Sequence, residues 1–410
     1  MRFLHLADLH FGKTLHGVNL LDAGDQPHWA DGLLALAEQL QPDAVLIAGD
    51  VYDRSAPAAG AVELLSRMLT GLTARGIQVL LAPGNHDSAQ RLAFGRSLLE
   101  KQGLTIAPPL TAPGQLARVT LHDDHGPVDF WLMPYLFPAL ASAALGVELR
   151  DYDAAVRAVL AAQPIDFSRR NVLIAHQNVT VGGAEGERGG SESAVGGVGQ
   201  VDYTAFDGFD YVALGHIHAG YAVGRPAVRY AGSPLCYHFH ETRQAAKGPL
   251  LVELGAKGEA PTVRLQPIAP LHPMRIAEGS YADLRAAEAL RGGGEYVSVR
   301  LTDQRVSPAV ADDLHRLFEA RGSLLMELGS SFRADSGEAA LTSAALREKG
   351  LAELFADFYT QKPNGAAPDD AELALLNRAA ELAASADLRL PPEAAQIELL
   401  LEAAGKEAGV

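Results

Sequence analysis

Residues 45–53 read VLIAGDVYD, an apolar run far too short to cross a membrane, stopped by a glycine and a carboxylate. Val45, Leu46, Ile47 and Ala48 describe a strand covered on both faces, as in parallel sheets. Gly49 lets the backbone turn, so that Asp50 projects beyond the C-terminal edge, where open α/β sheets place their ligands. Asp53 follows three residues later, within reach of the same cleft. An Asp after a buried strand is about as often a turn or cap residue as a ligand. The meaning of this stretch therefore depends on what the other strand ends carry.

The same pattern recurs on either side. Upstream, residues 2–7 (RFLHLA) form a first strand ending in Asp8-Leu9-His10, a carboxylate and an imidazole that can face one ion. Residues 29–40 place Leu33, Leu36, Ala37 and Leu40 on one helical face, and Gln41-Pro42-Asp43 closes the helix. Strand, helix and strand in that order imply parallel pairing. Downstream, a helix over 58–74 and a strand over 77–82 lead into Pro83-Gly84-Asn85-His86-Asp87. A simple turn has no need of an imidazole, so Asn85 and His86 are site candidates, while Asp87 is assigned to capping a helix over 88–102. Apolar strands over 171–175 and 211–214 end in His176-Gln177 and Gly215-His216-Ile217-His218. Histidines at i and i+2 of an extended segment share a side. His5 and His16 read as ordinary strand and loop histidines.

Five strand ends thus deliver these groups, and parallel strands of one sheet open their C-terminal ends along one edge. Asp8, His10, Asp50, Asn85, His176, His216 and His218 are too many ligands for one tetrahedral zinc. They suit two ions roughly 3.5–4 Å apart, with Asp50 as the bridge. Four imidazoles disfavour Mg²⁺, and a set without thiolate is compatible with Mn²⁺, Fe or Zn²⁺. Such a pair supplies what phosphate-ester hydrolysis requires, acidified water and neutralised phosphoryl oxygens. His86 then reads as a catalytic histidine that stabilises the transition state or protonates the leaving oxygen, with Asp53 holding its tautomer.

At 410 residues the chain exceeds what one core usually serves, so two or three domains are expected. The single cysteine, Cys236, cannot form an internal disulfide, and neither a leader nor an apolar run of membrane length is apparent. These features point to the cytosol and away from a membrane. A net charge of −16 excludes a broadly basic nucleic-acid binder and predicts weak intrinsic affinity for a polyanion. Residues 182–200 are a Gly-rich loop, and 250–254 with 262–267 read as the hairpin that closes the first domain. Strand (274–279), helix (280–290), strand (295–301), helix (308–320) and strand (323–329) follow. Helices over 344–361, 370–385 and 392–404 complete the chain. Two of them carry apolar stripes, Leu351, Leu354, Phe355, Phe358 and Tyr359, then Ile397, Leu400, Leu401 and Ala404. Helices this short must dock on something.

The run DLH, GDVYD, PGNHD, AHQ and GHIH resembles the calcineurin-type metallophosphoesterase superfamily. Within it, YVALGHIH followed by VRYAGSPLCY, the small α+β unit and the helical tail are similar to the SbcD-type nuclease subunits of the double-strand-break repair nuclease family. The resemblance covers almost the whole chain. It implies an α/β fold with a two-sheet metallophosphoesterase core over 1–267, an α+β capping domain over 268–341 and a helical ATPase-binding segment over 342–410. Carried over by motif, Asp8, His10, Asp50 and His218 hold one ion, usually Mn²⁺, and Asp50, Asn85, His176 and His216 the other. His86 is the catalytic histidine, and Asp53 stands where some relatives carry a histidine. The resemblance also implies a DNA nuclease, a 3′→5′ exonuclease and hairpin or single-strand endonuclease, working with an SbcC-type ATPase in double-strand-break processing. A homodimer would form through 58–74 and 88–102, with Leu92, Leu98 and Leu99 as apolar contacts. The alternative, a phosphoesterase for small nucleotides or phosphoproteins, leaves the residues beyond 267 without a reason.

Overall fold

Alternating strand and helix patterns fold as β1 (Arg2–Leu6), α1 (Asp25–Leu40), β2 (Ala44–Ala48), α2 (Ala59–Thr73), β3 (Gln78–Ala82) and β4 (Leu104–Ile106). The computed structural model describes residues 1–183, 199–243, 246–288 and 291–332. The expected helices at 344–361, 370–385 and 392–404 and most of the Gly-rich stretch lie outside the described residues. By compactness the chain divides into Met1–Phe332 and Arg333–Val410.

β1 to β4 are mutually parallel, and β11 (Leu250–Glu253) with β12 (Thr262–Leu265) extends the sheet antiparallel beyond β1. A second sheet holds β5 (Ala117–Asp123), β6 (Gly126–Met133), β7 (Arg170–His176), β8 (Tyr211–Gly215), β9 (Ala222–Val223) and β10 (Arg225–Tyr230) in the order β9-β10-β8-β7-β6-β5. Strands β6, β7, β8 and β10 of that sheet run parallel.

The two sheets pack face to face. Phe3, Leu46, Leu80 and Val252 of the first meet Phe130, Val172, Ile174 and Tyr211 of the second in one fully buried cluster. The opposite face of the first sheet, through Leu4, Val45, Ile47 and Val79, packs on α1 and α2. The outer face of the second packs on α3 (Pro138–Leu145) and α4 (Tyr152–Ala161). Both faces of β2 are therefore covered, which is why its sequence is apolar throughout rather than alternating. Burial of each large side chain here contributes about 1.5–3 kcal/mol.

Local chemistry moves two boundaries. α1 begins at Asp25 rather than 29, because Gly24 takes a left-handed conformation and Pro27 is tolerated in a first turn. The expected helix over 88–102 instead breaks into Ala89–Leu92, Arg96–Leu99 and the turn Glu100–Gln102, with Gly95 left-handed between them. Ser88, not Asp87, caps the first piece, its hydroxyl accepting from the Arg91 N–H. The break also divides the supposed apolar stripe. Leu92 is buried in the core, whereas Leu98 is 72% exposed.

After the hairpin come β13 (Met274–Gly279), α5 (Tyr281–Glu288), β14 (Tyr296–Leu301), α6 (Pro308–Glu319) and β15 (Leu324–Ser330), a three-stranded parallel sheet with its own core around Val297, Leu314 and Phe318. The Asp25 carboxylate at the start of α1 accepts from the Tyr296 hydroxyl at 2.7 Å and lies 3.0 Å from His272 Nδ1, tying this sheet to the first one's helix layer.

Candidate metal centre

Asp8 and His10 follow β1, Asp50 follows β2, Asn85 and His86 follow β3, His176 ends β7, and His216 and His218 follow β8. The structure brings all of them together. Their strands belong to two sheets rather than one, so the site sits where the C-terminal edges of both sheets meet. Backbone bonds draw the loops into register: Asp8 N–H donates to Gly49 O at 3.0 Å, and His10 N–H to Asp50 O at 2.9 Å.

Asp8, His10, Asp50, His176 and His218 are buried, and Asn85 and His86 face solvent. His10 Nε2 and His218 Nε2 point at each other 3.2 Å apart. Donor atoms of Asp8, His10 and His218 lie within 4.8 Å of one another, as do those of Asp8, Asp50 and His176. One Asp50 oxygen is 3.7 Å from His10 Nε2 and 3.3 Å from His176 Nε2, and so stands between the two groups. Asn85 Oδ1 is 3.0 Å from His176 Nε2 and 3.1 Å from His216 Nδ1.

Two observations show that this donor set fits cations. The Nε2 atoms of His10 and His218 converge in a buried site, where both can direct lone pairs at one ion. Further, Asp8, His10, Asp50 and His216 have φ of 55°, 43°, 49° and 103°, a region that side chains other than glycine rarely adopt. Each such residue costs about 1–3 kcal/mol, and such strain persists at functional sites because the surrounding structure imposes it.

The electrostatics agree. Burial pushes the Asp8 carboxyl up to about 7. Burial also works against an ionised Asp50, but the neighbouring His176, His10 and His86 hold its carboxyl below the usual range. His176 is pushed up to about 9, the Asp50 charge and hydrogen bond outweighing its burial. The buried carboxylates thus favour positive charge among these imidazoles, the charge that a divalent cation held by the same groups would supply.

Neighbouring groups set the orientation of the donors. His176 Nδ1 lies 2.8 Å from Ala48 O, and since a carbonyl only accepts, Nδ1 carries the hydrogen and Nε2 faces the site. His218 Nδ1 lies 3.3 Å from Glu241, itself bound by Lys247 at 2.7 Å and by the Ser233 hydroxyl at 3.1 Å. Asp87 accepts from the N–H groups of Val51, Tyr52 and Gly84, locking the loop after β2 to the loop after β3. Gly84 is required there, because a Cβ would lie 2.1 Å from Asp50 Oδ1.

Asp53 differs from its expected role. Its backbone oxygen, not its carboxylate, accepts from His86 Nδ1 at 2.9 Å. The carboxylate pairs with Lys13 at 2.8 Å and lies 3.6 Å from His10 Nδ1. Sequence reasoning missed Lys13, Glu241, Lys247 and the true work of Asp87. For Asp87 the signal was present in the PGNHD turn, whereas Glu241 and Lys247 stand in no recognisable spacing.

A family model described as calcineurin-like phosphoesterase matches residues 1–220, which include every strand end that feeds the site. This chain belongs to the calcineurin-like phosphoesterase family. The phosphoesterase is accordingly a metal-dependent hydrolase. A second model, described as Type 5 capsule protein repressor C-terminal domain, matches residues 270–362. The SbcD subunit of the SbcCD nuclease from Staphylococcus saprophyticus is 33% identical to the phosphoesterase over 69% of this chain and 73% of that protein. Its counterpart of the same name from Staphylococcus epidermidis is 30% identical over 69% of this chain and 74% of its own length. These identities place the phosphoesterase among the SbcD nuclease subunits. Of solved structures, TT1561 of Thermus thermophilus is similar at 12% identity and a TM-score of 0.34, over 57% of this chain and 89% of that one. Among the described residues no helix is long and apolar enough to cross a membrane.

Proposed function

We propose that this chain is the nuclease subunit of an assembly with an SbcC-type ATPase and hydrolyses phosphodiester bonds of DNA during double-strand-break processing. The observation that carries this reading is the convergence of carboxylate, imidazole and amide donors from five strand ends, together with relatives named as nuclease subunits. Asp8, His10 and His218 would hold one divalent ion, Asn85, His176 and His216 a second, and Asp50 both, with Mn²⁺ favoured by the mixed oxygen and imidazole set. When bound, the ions acidify water and neutralise charge on the phosphoryl oxygens.

The chain's own residues would complete the chemistry. His86 is 42% exposed, with Nδ1–H donated to Asp53 O and Nε2 3.9 Å from the Asp50 carboxylate, so that as an imidazolium it would stand beside the ion site and hand its Nε2 proton to the leaving oxygen. Its backbone N–H donates to Asp50 Oδ1 at 2.8 Å and keeps the imidazole beside the ion site.

The domain reading of 1–267, 268–341 and 342–410, and the docking of the last segment on the ATPase, form part of this proposal. So does a homodimer through α2 and the segment after β3. Phe94 and Leu98, 85% and 72% exposed, support it, and so does an apolar groove of about 700 Å³ lined by Val62, Leu65, Leu69, Leu99 and Ile106.

The test compares Mn²⁺-dependent nucleotide release from linear DNA with hydrolysis of bis(p-nitrophenyl) phosphate and of a phosphoserine peptide. DNA and the diester should be cleaved and the peptide left intact. Preference for the phosphopeptide would overturn the nuclease reading.

A further inference from the structure

The cleft has two unlike walls. On the His86 side stand Lys13 and Arg54, the latter with an 84% exposed side chain, both beside the Asp53 carboxylate. On the His176 and His216 side stands an aromatic group that the hydrolytic chemistry does not use. The Tyr135 ring centroid lies 6.1 Å from that of His176 and 6.2 Å from that of His216. Phe137 lies 4.8 Å from Tyr135, and Tyr152 lies 6.3 Å from Tyr135 and 6.5 Å from Phe137.

Local structure does not account for Phe137. It occupies the N-cap of α3, makes no side-chain cap bond there, and stands where Ser, Thr, Asp or Asn is favoured. Its side chain is left 50% exposed although Leu136 beside it is fully buried. The loop is nonetheless held firmly, since Tyr135 N–H donates to Pro83 O at 2.9 Å, on the loop that carries Asn85 and His86. A rigid, half-exposed aromatic surface therefore adjoins the donors proposed to hold the second ion.

We propose that Tyr135, Phe137 and Tyr152 form a stacking subsite for an unpaired nucleobase next to the scissile phosphate. This deepens the nuclease reading and rests on it. Every base has a π-face, so stacking accepts any sequence. A base within a duplex offers no free face, so the subsite favours single-stranded or frayed DNA. The phosphate would lie at the donor cluster, the base against Phe137, and the continuing backbone toward Lys13 and Arg54.

The test uses the full chain with Mn²⁺ and two single-stranded oligonucleotides that differ only in an abasic tetrahydrofuran residue, placed in turn on each side of the cleaved bond. Wild type should cleave the base-containing strand roughly tenfold more efficiently in kcat/KM for one of the two placements. Phe137→Ala should bring that ratio near one, and Phe137→Trp should keep it. As a readout independent of turnover, 2-aminopurine at the same position should be quenched on binding to wild type and not on binding to Phe137→Ala. Cleavage and quenching indifferent to the base, or a ratio unchanged in Phe137→Ala, would overturn the subsite alone. Wild type that cleaves neither strand would overturn the nuclease reading and the subsite with it.

Discussion

His86 Nδ1 lies 2.9 Å from the carbonyl oxygen of Asp53, while the Asp53 carboxylate turns away to Lys13 at 2.8 Å. The imidazole is therefore oriented by backbone, which a side-chain change at 53 leaves in place. Asp53→Asn should lower kcat less than about tenfold. His86→Ala should lower it by about 10²–10⁴, the usual range for losing a general acid or base, without changing metal content. Diester kinetics with elemental analysis check both. A His86→Ala enzyme of near-normal rate would remove His86 from the chemistry.

Asp50 stands between His10 and His176, at 3.7 and 3.3 Å. Asp50→Ala should abolish binding of both ions, whereas Asn85→Ala should weaken one site and spare the Asp8, His10 and His218 group. Titration calorimetry with Mn²⁺ should show two sites in wild type, one in Asn85→Ala and none in Asp50→Ala. Retention of either site in Asp50→Ala would disprove the bridge.

The φ of 103° at His216 predicts an inverted substitution order. Glycine is normally less stable than alanine by about 0.5–1 kcal/mol in regular structure, but at this φ an alanine Cβ is strained. In metal-free protein, His216→Gly should be more stable than His216→Ala by about 1 kcal/mol, read from urea midpoints. Equal or reversed stabilities would show that the strain is relieved in solution.

Arg170 is 2% exposed, and it donates through Nη1 and Nη2 to Asp123 and also to Gly126 O and Gly255 O. Hydrogen bonds from Arg170 hold the Asp123 carboxyl well below the usual carboxylate range. A folded pKa below the unfolded one gives stability that is present above about pH 4 and lost as pH falls further. Asp123→Asn, which leaves the buried guanidinium uncompensated, should cost about 3 kcal/mol at pH 7. The gap from wild type should begin to shrink from pH 4 to pH 3, where the Asp123 carboxylate of the unfolded wild-type chain takes up a proton while the folded one stays ionised. A gap independent of pH would assign the cost to packing instead.

Which residues converge was legible in the chain because each follows a short apolar strand. A run such as AVLIA has to be buried, and a carboxylate or imidazole at its end has to lie at a sheet edge. Asp8, Asp50, His86 and His218 could be named on that basis. The element order of the small α+β unit was legible too, since its strand and helix periods alternate cleanly from Met274 to Ser330, while its parallel pairing came from the structure. The helix over 88–102 was misread because apolar spacing says nothing of a left-handed Gly95.

What the sequence determined by itself is which groups stand at which strand ends, since solvent exclusion and backbone geometry act over a few neighbouring residues. Only the tertiary structure decided that two sheets, not one, supply them, and that His176 Nδ1 is held by Ala48 O, His218 by Glu241 and His86 by the Asp53 carbonyl. Those bonds follow from how two sheet faces pack and where the loops between them settle. No local pattern encodes that packing, because it is set by the summed contacts of side chains far apart in the chain.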